Sequence, residues 1–424
     1  MGKRVIQVDE RPGILESIPL SFQHLFAMFG ASVLVPMLFK IDIGTVLLFN
    51  GIGTLIYLIL CKGRVPAFLG SSFAFLSPVF VVISNYNYET ALGGFIISGI
   101  IFMIVSLIIK LFGNKWIDVV FPPAAMGAIV AVIGLELAPT AANMAGLTAD
   151  ISNMDMKAVS VAMITLTTVI LGSVLFRGFF AVIPILISII VGYIAAIMYG
   201  IVDFSGITSA SLVTAPTFYH PIFKAEAILT IIPATFVVIA EHVGHFIVTE
   251  KIVGLDLKKN PGLHRSMLGD GFSTMLSGFF GSVPTTTYGE NIGVLAITKV
   301  YSTWVIGGAA IISIVLAFMG KFTAVVKTIP VPVMGGVSLL LFGVIAASGI
   351  RMLVESKVDY SKPKNLILTS VVLIVGMSGA HIKIDNIELK GMALATILAI
   401  FISLLFELFD RLKLMNDKYD IMEP

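Results

Sequence analysis

Glu241, His242 and His245 lie in the apolar stretch Ile231–Val248, and Glu290 lies in a second one, Gly281–Val300. A carboxylate held in hydrocarbon costs roughly 3 kcal/mol on insertion scales, so such residues line binding sites, ion paths or proton relays. Glu241 and His245 are four apart and share a helix face. His242 points about 100° away from Glu241, which suits a structural hydrogen bond. Burial disfavours charge on a carboxylate, and a second carboxylate nearby adds to the penalty, so Glu241 and Glu290 together could exchange a proton near neutral pH. A histidine one turn away changes charge in the same range and is a natural relay. The competing reading is polar glue that ties two helices together without touching a ligand. The acids and histidines show no zinc-peptidase spacing. No third or fourth donor clusters with them, so neither a metal nor a cofactor is expected.

The elements that must position these groups are interrupted ones. The stretch before Glu290 reads Gly281-Ser-Val-Pro-Thr-Thr-Thr-Tyr288-Gly289-Glu290, and a sister stretch reads Val65-Pro-Ala-Phe-Leu-Gly-Ser-Ser72-Phe73. Pro, Gly, Ser and Thr disfavour helix, so Val283–Thr287 is predicted to be extended, with a half-helix starting near Gly289. Non-helical backbone at membrane depth persists only where protein or water satisfies it. Two such breaks at matching places point to a site at the bilayer midplane. The freed N–H groups at Gly289 and Glu290 could donate to a ligand carbonyl. The carboxylates could accept a ring N–H, and Phe73 and Tyr288 could stack on a ring face. These features suit a small planar polar solute taken up with a proton.

The rest of the chain supports a membrane setting. It has 424 residues, of which 57% are hydrophobic and 12% charged, about half the charge of a soluble domain. A net charge of +2 argues against nucleic acid as a partner. The single cysteine, Cys61, excludes an internal disulfide. No Walker-type phosphate loop occurs, which excludes an ATP motor within the chain. No nucleophile–base pair suggests an enzyme. Charged Met1–Arg11 runs into a spanning segment without a small-residue cleavage pattern, unlike a signal peptide.

Fourteen apolar segments of spanning length are expected between Ser17 and residue 408. With the N-terminus inside, 20 of the 27 Lys and Arg fall on the inner side, which predicts cytoplasmic N- and C-termini. Matched pairs recur in order. Gln23-His24 and Glu241-His242 lie 218 apart, as do Val65-Pro66 and Val283-Pro284, while Phe121-Pro-Pro-Ala-Ala-Met-Gly127 and Ile329-Pro-Val-Pro-Val-Met-Gly335 lie 208 apart. Seven segments per copy is an odd number, so two copies would be inverted across the membrane, as in secondary transporters.

The residues then become recognisable. From Glu10-Arg-Pro12 and Ser21-Phe-Gln-His-Leu-Phe-Ala-Met-Phe-Gly30 to Lys390-Gly-Met-Ala-Leu-Ala-Thr396, the chain resembles the nucleobase–ascorbate transporter family (nucleobase–cation symporter-2). The family signature stands as Glu290-Asn-Ile-Gly-Val-Leu-Ala-Ile-Thr298-Lys299, and its leading glutamate resembles the uracil branch. The resemblance implies an all-α polytopic fold of fourteen segments in a 7+7 inverted repeat, with short antiparallel strands in broken segments 3 and 10. It implies a substrate-carrying core over 14–115 and 225–320, a gate domain over 121–200 and 325–408, and a cytoplasmic tail over 409–424. It implies proton-coupled uracil import across a bacterial cytoplasmic (inner) membrane, with lipid contacts and a homodimer through the gate domain. Uracil contacts would fall on Phe73, Glu241, Gly289 and Glu290, with Tyr288 and Ser72 lining the pocket and Glu241 and His245 linked to the proton. Phe342 stands where some relatives place tyrosine, which puts a hydroxyl role there in doubt. Xanthine, urate or another nucleobase is the alternative cargo, and anion exchange is a more distant one. Two acids in the pocket oppose an anion.

Overall fold

The computed structural model of the chain describes residues 5–384 and 387–415, so the expected tail over 409–424 lies outside the described residues from 416 onward. The first half runs through α1 (Ile14–Ala27), α2 (Phe29–Phe39), α3 (Ile43–Leu60), β1 (Leu69–Ser71) and α4 (Leu76–Asn85). It continues with α5 (Tyr88–Phe112), α6 (Lys115–Val120), α7 (Pro123–Met144), α8 (Met156–Leu175), α9 (Pro184–Met198) and α10 (Ser205–Ser209). The second half holds α11 (Ala225–Val253), α12 (Leu263–Phe280), β2 (Thr285–Thr287), α13 (Gly289–Thr298) and α14 (Thr303–Ala317). It ends with α15 (Gly320–Lys327), α16 (Val331–Glu355), α17 (Pro363–Met377), β3 (His381–Ile384), β4 (Ile387–Lys390) and α18 (Gly391–Arg411).

Local chemistry sets several helix ends. Asp42 caps α3 by accepting from Thr45 N at 3.3 Å, and Asn87 caps α5 by accepting from Thr90 N at 3.0 Å. These side chains satisfy N–H groups that a first turn leaves open. α5 stops at Gly113, whose φ of 78° lies in a region that side chains resist.

Among the described residues, seven helices are each long and apolar enough to cross a membrane: α3, α5, α7, α8, α11, α16 and α18. Helix α11, with 29 residues, extends for about 44 Å, more than the roughly 30 Å hydrocarbon core. Phe112, Val174, Ile374 and Phe401 are exposed, an arrangement suited to lipid. The protein is therefore a helical, multi-pass membrane protein.

Details depart from the sequence expectation. The first of the expected segments, beginning at Ser17, is two helices, α1 and α2, bent by 42°. The bend falls at Met28, and neither Pro19 nor Pro36 marks it. Helices α6 and α15, of 6 and 8 residues, lie between the expected spanning segments, because so few residues cannot display a 3.6-residue period. A β3–β4 hairpin precedes α18.

Helix packing comes in reciprocal pairs. Helix α1 packs on α14 and α11 on α5, while α3 packs on α14 and α12 on α5. Likewise α8 packs on α9 and α16, and α17 packs on α18 and α7. Close approach depends on small residues. A Cβ on Gly99 of α5 would lie 2.6 Å from Gly271 O on α12, and one on Gly349 of α16 would lie 2.5 Å from Gly127 O on α7. Such small-residue seams supply dispersion contacts where lipid removes the hydrophobic drive.

Candidate functional site

The two interrupted segments meet as strands. β1 and β2 pair antiparallel in the register Leu69↔Thr287, Gly70↔Thr286 and Ser71↔Thr285. Ser72 N extends the pairing by donating to Pro284 O at 2.9 Å. The register is symmetric about Leu69 and Thr287, which are 218 apart, the same offset that separates Pro66 from Pro284. Each strand is anchored from behind. Leu69 N donates to Thr54 Oγ1 at 2.9 Å, and Thr285 N donates to Thr274 Oγ1 at 3.2 Å. These bonds occupy backbone groups that hydrocarbon cannot satisfy.

Each strand turns into a helix start without a side-chain cap. Tyr288 is the extended residue before α13, and Ser72 is the extended residue before the 3-10 turn Phe73–Phe75 that leads into α4. First-turn N–H groups are thus left for another acceptor. The Ser71 and Ser72 hydroxyls are buried without a hydrogen-bond partner, and a buried hydroxyl in that state is costly unless something answers it. Gly289 is exposed although Thr285–Tyr288 and Asn291 are buried, so the backbone opens at that point.

The residues singled out by spacing converge here. Glu290 and Asp270 lie within electrostatic reach of Glu241, and Tyr288 lies within reach of both glutamates. Glu241, His245 and Glu290 are half-buried. A Cβ on Gly289 would sit 3.3 Å from His245 Nε2. The Phe73 and Tyr288 ring centroids are 6.2 Å apart, and the Tyr288 hydroxyl donates to Ser71 O. Phe342 meets Phe73 edge-on at 5.9 Å and closes that side without a hydroxyl. Two carboxylates, free N–H groups, orphan hydroxyls and aromatic faces can together hold a flat solute by its N–H and C=O edges. Among the described residues, no group of three or more His, Cys, Asp or Glu is placed to hold a metal ion.

Two histidines of equivalent position behave differently. His24 Nδ1 pairs with the Asn291 side-chain amide at 3.1 Å, and His242 Nδ1 pairs with Asp270 Oδ2 at 3.0 Å. Asp270 and Glu136 are further acids in apolar helices that spacing did not bring forward. Glu136 accepts from Ser77 Oγ at 2.5 Å and from Met392 N at 2.9 Å, bridging α7, α4 and α18. The signal available for both was the rarity of acids inside apolar segments. Asp270 is 28 residues from His242 on another helix, so only tertiary structure joins them.

Comparison with known proteins agrees. The "Permease family" matches residues 15–384. A uracil permease of Paenibacillus larvae subsp. larvae is 62% identical over 421 residues, covering 98% of this chain and all of the relative. The uracil permease of Escherichia coli K12 is 62% identical over 414 residues, 97% of this chain and 96% of the relative. That of Bacillus caldolyticus is 45% identical over 412 residues, 96% of this chain and 95% of the relative. Among solved structures, the transmembrane domain of the cyanobacterium bicarbonate transporter BicA aligns with a TM-score of 0.67 at 13% identity, covering 95% of this chain and 99% of that one. SLC26A9 aligns at 0.72 and 11% identity, covering 94% of this chain and 66% of that one. At those identities the likeness is one of fold alone.

Proposed function

The chain belongs to this permease family, and we propose that it imports uracil together with a proton through the site between β1 and β2. Uracil transport follows from 62% identity to uracil permeases over nearly the full length. The observation that carries the mechanism is the paired strand–helix break, at which Glu241, Glu290 and an exposed Gly289 backbone converge. Glu290 accepts a uracil N–H, the Gly289 region donates to a carbonyl, and Phe73 and Tyr288 bound the ring faces. Ser72 supplies its unpartnered hydroxyl. Glu241, with His245 beside it, holds the transported proton.

The reciprocal helix pairs and the 218-residue offset of the strand register support an architecture of fourteen segments in two inverted sevens. Segments over 14–115 and 225–320 form the moving core, and those over 121–200 and 325–408 form the gate and the homodimer surface. Both termini lie in the cytoplasm of a bacterial cell. Coupling requires that the core cross only when it holds both ligands or neither, a difference in stability between two states.

Uptake of labelled uracil into proteoliposomes tests this. An inward proton gradient is expected to accelerate uptake, and Glu241→Gln is expected to abolish that acceleration. Equal uptake with and without the gradient in the wild type would remove the proton from the mechanism.

A further inference from the structure

The two breaks share one backbone device but are closed to different degrees. After β1, Ser72 to Leu76 are all buried. After β2, Gly289 and Ile297 are exposed, and a Cβ on Gly293 would meet nothing within 4 Å. Positions 289, 293 and 297 share one face of α13, so that face is open, whereas α4 is shut. Val79 of α4, 218 residues before Ile297, is 0% exposed, against 51% for Ile297. On the topology proposed above, α13 runs toward the cytoplasm and α4 toward the outside, so the site opens inward.

The contact that shuts α4 is directional. Ser77 Oγ donates to Glu136 Oε1 at 2.5 Å, and Met392 N donates to Glu136 Oε2 at 2.9 Å. Ser77 lies in the first turn of α4, in the proposed core. Glu136 on α7 and Met392 in the first turn of α18 lie in the proposed gate. Each carboxylate oxygen accepts one bond, which suits an ionised group, and bonds to a charged acceptor are about twice as strong as neutral ones. Two helix starts point at the same carboxylate, and their dipoles favour its charge. The seat is tight: Gly391 has a φ of 52°, and a Cβ on it would collide with the Glu136 carboxylate.

The mirror positions hold none of this chemistry. At the offset of 218 Ser77 corresponds to Leu295, and at the offset of 208 Glu136 corresponds to Val344 and Met392 to Pro184. Leu295 has no hydroxyl and Val344 no carboxylate. Pro184, at the start of α9, has no N–H to give. In an inverted repeat the two access states exchange the conformations of the halves. The outward-open state would therefore close on Leu295 and Val344, by apolar contact alone.

We propose that Glu136 is a one-sided latch, which with Ser77 locks the half-helix α4 to the gate in the inward-open state and makes that state the resting one. The core slides only after Ser77 leaves the carboxylate, and Met392 N keeps the carboxylate in place for its return. The latch lies close to the uracil site: Phe73, four residues before Ser77, meets the gate at Phe342. A ring contact tolerates sliding, whereas a short hydrogen bond holds one register. Glu136 is thus a positioning residue that makes no contact with uracil.

This inference rests on the moving core of the inverted-repeat reading, and the experiment separates the two. Val79→Cys in the full-length chain supplies a thiol that is hidden in the inward-open state and uncovered in the other. Its alkylation by a hydrophilic maleimide is followed in proteoliposomes, with buried Cys61 as an internal control for general loosening. Adding Ser77→Ala is expected to speed labelling at position 79 about fivefold, the order of one lost hydrogen bond, with Cys61 unchanged. Ser77→Thr keeps the hydroxyl and is expected to stay within about twofold of the parent. Labelling unchanged in Ser77→Ala, raised equally in Ser77→Thr, or raised at position 79 and Cys61 together would overturn the latch. Should Ser77→Ala not fold, Glu136→Gln decides: its neutral amide is expected to raise labelling about threefold, and no rise would overturn the latch. Uracil exchange cycles the core through both states, so labelling of the Val79→Cys parent is expected to rise at least about threefold during it. A parent indifferent to exchange would instead defeat the moving-core reading itself.

Discussion

At the β1–β2 crossing, residues 218 apart face or mirror one another: Gly70 and Tyr288, Ser72 and Glu290, Phe73 and Asn291. The first break supplies small and apolar groups, and the second supplies the phenol, the carboxylate and the amide. The backbone device is the same in both, a strand turning into an uncapped helix start. The side chains are divided between them. Gly70 is the clearest case, because a Cβ there would lie 2.1 Å from Tyr288 Cε2. Only one of the two equivalent positions can hold a ring, since both project toward the same local axis. The comparison teaches that a duplicated scaffold fixes where ligand groups can be placed and leaves their chemistry to one copy.

The sharpest test exchanges the chemistry of one equivalent pair. Glu290→Gln keeps the shape but replaces an acceptor with a group that is part donor. Uracil affinity is expected to fall by about 30-fold or more, the order of 2 kcal/mol for a hydrogen bond to a charged acceptor. Ser72→Ala, at the mirror position, is expected to cost only about threefold, as for a neutral hydroxyl bond. Equal losses in binding titrations of the two purified variants would break the comparison.

Backbone and chemistry were not equally legible from sequence. The break at Val283–Thr287 could be read because Pro284 and three threonines resist helix, and β2 with α13 lies where that reading puts an extended stretch and a half-helix. The glutamates stood out because acids are rare in apolar runs. The Tyr288–Gly70 fit could not be read, because it depends on a strand register that no local pattern specifies. The Met28 bend was hidden for a related reason: the helix-breaking residues Pro19 and Pro36 lie elsewhere, and the helix turns where the fold requires it. The His242–Asp270 contact joins two helices, and spacing along one chain carries no trace of it.

A second pair of variants probes the shape shared by the breaks. Gly70→Ala forces the Tyr288 ring to move, since Cε2 and Cδ2 would lie 2.1 and 2.9 Å from the new methyl. Overpacking of this kind costs about 1–3 kcal/mol, and uracil uptake is expected to drop about tenfold with a lower melting temperature. Gly289→Ala meets only the end of the His245 ring, at 3.3 Å. A shift of a few tenths of an ångström relieves it, so uptake is expected to fall about threefold, below the lower end of that overpacking range. Should Gly289→Ala prove the more damaging in side-by-side uptake and thermal-shift assays, the crossing would be less constrained at its axis than the Gly70–Tyr288 fit requires.

The smallest effect lies outside the breaks, where the halves again solve one problem differently. Helix α3 starts on the side chain of Asp42, whereas its second-half counterpart α12 starts on Gly262 without a side-chain cap. Burial pushes the Asp42 carboxyl up, but hydrogen bonds from Lys327, Thr217 N and Thr45 N, with the Lys327 charge, outweigh it and hold the carboxyl below its usual range. The Lys327 ammonium lies 2.8 Å away. A carboxyl lowered in the folded state stabilises the fold above its unfolded value of about 3.9, and that contribution is lost as pH falls through the folded value. Lys327 is 54% exposed, so solvent screens the pair, and with the cap the total is of the order of 1 kcal/mol. Asp42→Asn is therefore expected to lower the melting temperature slightly at pH 7, with uptake unchanged. The gap from wild type should close as pH is lowered past about 4, because protonation then makes the two side chains alike. A gap that persists into acid would mean that the cap's shape, not its charge, holds the start of α3.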